Sequence, residues 1–169
     1  MPNSSISRPE SSDNQYSRLG DVLFGADRQV SEWIVERIPY LKPSENARAL
    51  GVVKNGKLVA GVMYENWNGV HVEVAIAVEP RVIWANKRTL HALFYYPFVT
   101  LGCKAVSVSA GATNLPSINL ATKLGFQMEA IVKFAAHDGS DLIVLKMFRQ
   151  NCKWILNDGQ EEQQRTSGT

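Results

Sequence analysis

The sequence predicts a mixed α/β fold, a sheet with helices packed on its faces. Three observations carry this. Two apolar runs, 50–54 and 57–64, flank Asn55 and Gly56, a dipeptide suited to the left-handed backbone of a tight hairpin turn. Val70, Val72, Val74, Ile76 and Val78 fall on alternate positions, the period of a strand with one buried face. Three further segments repeat their apolar residues at helical spacing between recognisable stops.

The elements follow in order. A helix over 26–38 places Val30, Trp33, Ile34 and Ile38 on one face, and Pro39 ends it. The hairpin comes next, then a strand over 71–78 with His71, Glu73, Ala75 and Ala77 on the face opposite the valines. Pro80 stops that strand. A long helix is expected from Lys87 to Leu101, with Asn86 as N-cap and Gly102 as stop, kinked or shortened by Pro97. Residues 104–109 alternate as a strand. Asn114 caps another helix, Pro116 sits in its first turn, and Gly125 closes it. Residues 126–135 and 142–148 form a last hairpin around His137, Asp138 and Gly139, with the strand after Gly125 expected in the core. The predicted order is helix, three strands, helix, strand, helix, two strands.

The 169 residues suffice for one domain with a real core, and 45% are hydrophobic. Residues 1–17 and 157–169 are polar and are expected to be disordered tails around a domain at 18–156. A net charge of +2 gives no argument for a nucleic-acid surface, though it leaves room for a local basic patch. Cys103 and Cys152 stand without a CxxC or Cys/His pattern, and both are read as reduced, which fits a cytoplasmic protein. The N-terminal stretch lacks the apolar core of a signal peptide, and no apolar run reaches the length of a membrane helix. His137, Asp138 and Asp141 read as a turn, so no metal is expected.

Asn114, Leu115, Pro116 and Ser117, followed by Leu120 and by Leu124, Gly125 and Phe126, resemble the N-x-x-[AS]…L-G-F segment of the GNAT (general N-acetyltransferase) superfamily. The element order matches as well. The ending from Met147 to Trp154, and Tyr96, Pro97 and Phe98 with Leu101 and Gly102, are similar to a GNAT subgroup common in bacteriophage genomes. The resemblance implies a GNAT-like fold, a central and mostly antiparallel sheet flanked by helices. It implies an N-acyltransferase, with acetyl passing from acetyl-CoA to a primary amine by direct attack in a ternary complex. The acceptor could be a protein, an aminoacyl-tRNA, a modified base or a small molecule, and a homodimer is a family analogy. The alternative is a catalytically silent module of the same fold that binds CoA, a protein or a nucleic acid. Two departures stand out. The stretch from Arg81 to Thr89 has none of the glycines of the family's pyrophosphate loop, and Ala121 occupies the place of a frequent tyrosine acid.

Amine acylation needs a neutral amine, a donor for the carbonyl oxygen and close alignment of the two partners. The helix start after Asn86, with Lys87, Arg88 and Arg81 near it, is the candidate diphosphate site, or else a solvated basic face. The resemblance puts the pantetheine arm along the backbone of Ala77 and Val78. Glu73 is the candidate base; the other reading is a solvent-facing residue paired with a lysine such as Lys57. His71, on the same face, is the alternative base or a proton relay. Asn114 and Ser117 are either cofactor contacts or a helix cap alone. Trp67 and Tyr64 could line an acceptor pocket or the edge of the core. Tyr64, Tyr95 and Tyr96 are the hydroxyls that could replace the missing acid.

Overall fold

Short apolar runs separated by tight turns assemble into one eight-stranded sheet in the computed structural model, which describes residues 17–155. The expected tails lie outside those residues, except Ser17, which opens the first strand. The elements are β1 (Ser17–Leu19), β2 (Val22–Phe24), α1 (Asp27–Arg37), β3 (Arg48–Lys54), β4 (Lys57–Glu65), β5 (His71–Val78), α2 (Lys87–Tyr95), β6 (Ala105–Gly111), α3 (Leu115–Leu124), β7 (Gln127–Val132) and β8 (Leu142–Phe148). The strand order is β1-β2-β3-β4-β5-β6-β8-β7, and every pairing is antiparallel except β5 with β6. The chain is thus a mixed α/β fold, as its sequence predicts.

Asn55 and Gly56 take φ of 49° and 75°, the paired left-handed conformation that joins β3 to β4. Three differences from expectation have physical reasons. The β1–β2 hairpin is an addition, built from strands of three residues each, too short to show an alternation. The second long helix stops at Tyr95, because Pro97 has no N–H to continue the ladder. The backbone widens there into a π turn, with the Leu101 N–H on the Tyr96 carbonyl at 2.9 Å. The third difference is β7. Phe126 is buried, yet every residue of β7 is exposed, so this strand borders the core rather than filling it.

Two apolar layers sandwich the sheet. On one face Val30 and Ile34 of α1 pack on Leu23, Ala49, Val53, Met63 and Ala77. Gly61 lets α1 approach this closely; a Cβ there would stand 2.9 Å from Cγ1 of Ile34. On the other face α2, α3 and the π turn bring Leu90, Phe94, Phe98 and Leu124 onto Val72, Val74, Val106 and Leu145. The cover is uneven: α1 packs on β3, β4 and β5. On that same face Ser109 of β6 and Phe148 of β8 are exposed. Among the described residues, no helix is long and apolar enough to cross a membrane.

Candidate active site

The strands β5 and β6 pair over three positions, His71 with Ala105, Val72 with Val106 and Glu73 with Ser107, and then part. β5 runs on to Val78 along β4 alone, and β6 to Gly111 along β8 alone. Backbone direction along β5 follows from two bonds. The Glu79 N–H donates to the Val59 carbonyl on the β4 side at 2.7 Å, and the Val70 carbonyl accepts from Lys104 on the β6 side at 2.7 Å. Alternation then turns Ala75 and Ala77 toward β4 and turns Ile76 and Val78 toward the gap. Two residues therefore present N–H and C=O groups along an edge with no strand beside it. Of the expected pair, Val78 lies on this open edge; Ala77 spends its polar groups on Gly61 and its side chain on the α1 layer.

A cavity of about 340 Å³ fills the gap. Asn114, Ser117 and Ala121 line it from the α3 side, and Glu65, Glu73, Tyr40 and His137 from the α1 side. Glu73 accepts a hydrogen bond from Asn66 Nδ2 at 2.9 Å. Its cross-strand neighbour is not a lysine but Glu65, whose carboxylate accepts from the Ser44 N–H at 2.6 Å; Lys57 lies instead opposite Lys54 in the β3–β4 turn. Tyr40 stacks on His137 with ring centroids 3.8 Å apart, which joins the segment after α1 to the β7–β8 loop. That loop is pinned by Asp138, which accepts from Thr113, from Ser140 Oγ and from the Ser140 N–H; these bonds hold its carboxyl far below the usual carboxylate range.

His71 lies outside the cavity lining, half-buried, with Nε2 2.8 Å from Ser107 Oγ. Burial lowers its pKa most; Glu73 pulls it up and Lys146 pushes it down. Register runs a polar row across the sheet at this level: Glu65, Glu73, Ser107, Lys146 and Gln127 on β4, β5, β6, β8 and β7. Glu65, Asn66, Ser107, Tyr40 and His137 are site residues that periodicity does not single out.

The remaining candidates divide between the cavity and its outer end. Asn114 caps α3 by accepting from the Ser117 N–H at 3.3 Å, and both also line the cavity. Asn86 caps α2 through the Thr89 N–H at 2.9 Å. Arg81 adopts φ of 63°, the left-handed conformation where a glycine would be easiest. Lys87 and Arg88 open α2, but Arg88 lies over the β1–β2 turn, its Nε 3.6 Å from where a Cβ on Gly20 would sit. Trp67 and Tyr64 stay out of the cavity: Trp67 is exposed, and the buried Tyr64 hydroxyl donates to the Leu93 carbonyl at 2.7 Å. Ala121 is buried in the cavity wall, and none of Tyr64, Tyr95 and Tyr96 lines the cavity.

No protein-family model and no curated protein sequence matches the chain. Solved structures do match. A GNAT-family acetyltransferase from Bacillus anthracis superposes with a TM-score of 0.57 at 13% identity, over 80% of this chain and 99% of that one. The spermidine/spermine N-acetyltransferase SpeG from Vibrio cholerae gives 0.55 at 16% identity, over 78% and 80%. The Campylobacter jejuni N-acetyltransferase PseH, in complex with acetyl coenzyme A, gives 0.50 at 10% identity, over 73% and 80%. This chain has a GNAT fold. Within that fold, the parted strands and the cavity between them are the features on which a reaction can be built.

Proposed function

We propose that this chain is an N-acyltransferase that moves acetyl from acetyl-CoA to a primary amine. The observation that carries the reading is the open edge at Ile76 and Val78 above a cavity that holds Glu73. The likeness to acetyltransferases, one of them bound to acetyl coenzyme A, supports it.

The residues fit such a cosubstrate. An edge that offers N–H and C=O groups in turn matches an arm that carries amides. The first turn of α2 has its Thr89 N–H taken by Asn86, while the N–H groups of Lys87 and Arg88 have no helical partner and can face an anion, with Arg81 in the approach. Asn114 and Ser117 would flank the arm from α3. The thioester brings the activated acyl group; the chain positions it, and an N–H of the open edge, that of Val78, would stabilise charge on the acyl oxygen. Glu73 takes the proton that an ammonium must lose before it attacks. Two carboxylates side by side, Glu65 and Glu73, favour an acceptor that arrives as a cation. A small primary alkylamine of this type is the acceptor we favour, and SpeG, by its name, acts on such amines. Ala121 leaves the thiolate to depart without a dedicated tyrosine, and its modest basicity makes this tolerable.

The test has two stages. Acetyl-CoA should raise the melting temperature, the gain corresponding to about 2.7 kcal/mol at a hundred times Kd. Thiol release is then followed with spermidine, benzylamine, lysine and a lysine-containing peptide. Glu73→Gln should lower turnover by on the order of a hundredfold with acetyl-CoA affinity unchanged. A thermal shift without transfer to any amine would mark a binding module, and equal turnover of the variant would remove Glu73 as the base.

A further inference from the structure

We propose that the acceptor is a primary amine with a single cationic end and an apolar, ring-bearing body, held by a compartment that Tyr40 and His137 build on the α1 side of the cavity. This rests on the acyl-transfer reading above and narrows its class of alkylamines. Among the described residues, the acids that line the cavity are Glu65 and Glu73, and they stand side by side as a cross-strand pair. Each accepts from a neutral donor, Glu65 from the Ser44 N–H and Glu73 from Asn66 Nδ2. The pair therefore gathers negative charge at one place, where one ammonium can sit. The lining continues through Ile38, Tyr40, Leu41, His137 and Leu142. An ammonium among these side chains would lose water without gaining a carboxylate, whereas a methylene chain or a ring would gain contact. A polyamine thus finds a partner for its first charge and none for its second.

The compartment is held in shape from both ends. Tyr40 and His137 stack with their planes 13° apart, so each ring spends one face on the other, and Tyr40 stays half-exposed. Both rings sit on pinned backbone. The Ser44 bond to Glu65 ties the segment after α1 to β4, and the Leu41 N–H closes a turn on the Ile38 carbonyl at 3.0 Å. The β7–β8 loop closes on itself through the Ala136 N–H and the Ser140 carbonyl, also at 3.0 Å. It lies so close to Gly111 that a Cβ there would stand 3.2 Å from Cβ of Ala136. Asp138, which accepts from Thr113 Oγ1 at 2.7 Å, fixes the residue next to His137. Rings held this way offer a preorganised surface to a flat apolar group, which gives up little freedom in docking there.

A stack that merely braces two loops would have the same geometry, so the test compares amines matched in length. Hexylamine and cadaverine differ by a methyl group against a second ammonium. Thiol release with acetyl-CoA should give hexylamine a kcat/KM about tenfold higher or more, with phenethylamine at least its equal. Tyr40→Ala and His137→Ala should raise KM for phenethylamine about tenfold, and Tyr40→Phe should keep the preference. Tyr40→Glu, at a half-exposed position that tolerates a charge, should reverse the preference by giving the second ammonium a partner. Equal or better turnover of cadaverine by the wild type, or an unmoved KM for phenethylamine in both alanine variants, overturns the proposal. A second measurement needs no reaction. Phenethylamine and cadaverine are titrated by NMR into the complex with CoA itself, and the His137 ring signals are followed. Phenethylamine should shift them and saturate at the lower concentration. That preference without acetylation of any amine upholds the compartment and rejects the reaction assigned to it. Ring signals that phenethylamine leaves in place overturn the compartment, even if another amine is acetylated.

Discussion

Gly61 lies under the closest approach of α1 to the sheet, and the two side chains it faces, Val30 and Ile34, have no exposed surface into which to retreat. Gly61→Ala should therefore cost about 1–3 kcal/mol, an overpacking penalty, seen as a lower urea midpoint at an unchanged slope. Acetyl-CoA affinity of the folded protein should survive. At this scale the sequence is legible in part. Glu73 stands out because it interrupts a strand of small and branched residues. Ser107 and Glu65 do not, because each gains its meaning from a neighbour that only strand pairing supplies. Tyr40 and His137 are further still from legibility; they sit in two loops whose meeting no local pattern encodes.

Among elements, β7 departs most from its reading. Its residues alternate no better than they bury, and all are exposed, while its partner β8 sends Ile143, Leu145 and Met147 into the core. The two strands should thus respond in opposite ways. Ile131→Lys, on a residue 51% exposed, should change stability by no more than about 0.5 kcal/mol. Leu145→Ala, on a residue 2% exposed, should cost about 2–5 kcal/mol through the cavity it leaves. Paired denaturation curves check both, and comparable losses would show that β7 is integral to the core. The hairpin at Asn55 and Gly56, the caps Asn86 and Asn114 and the stop at Gly125 were readable because each is a local backbone requirement. The β1–β2 hairpin was not, since three residues carry no period.

Across the whole molecule, the decisive feature is where the sheet stops being a sheet. No sequence pattern marks it: β5 alternates smoothly through Val78, although its second partner is gone after Glu73. Hydrogen exchange should expose it. The amides of Ile76 and Val78 should exchange faster than those of Ala75 and Ala77, which bond to β4, and acetyl-CoA should slow the first pair selectively. Uniform protection along the strand would mean that the edge is not open to a ligand.

The short β5–β6 ladder has a mechanical side. The five strands from β1 to β5 and the three from β6 to β7 are joined within the sheet by only three parallel positions. Every other adjoining pair from β3 to β7 is tied by five or more registered positions. The molecule resembles a beam cut halfway through, its narrowest section at His71, Val72 and Glu73. Load that pulls the two halves apart concentrates on those rungs, and a ligand laid along the open edge would act as a splint across the notch.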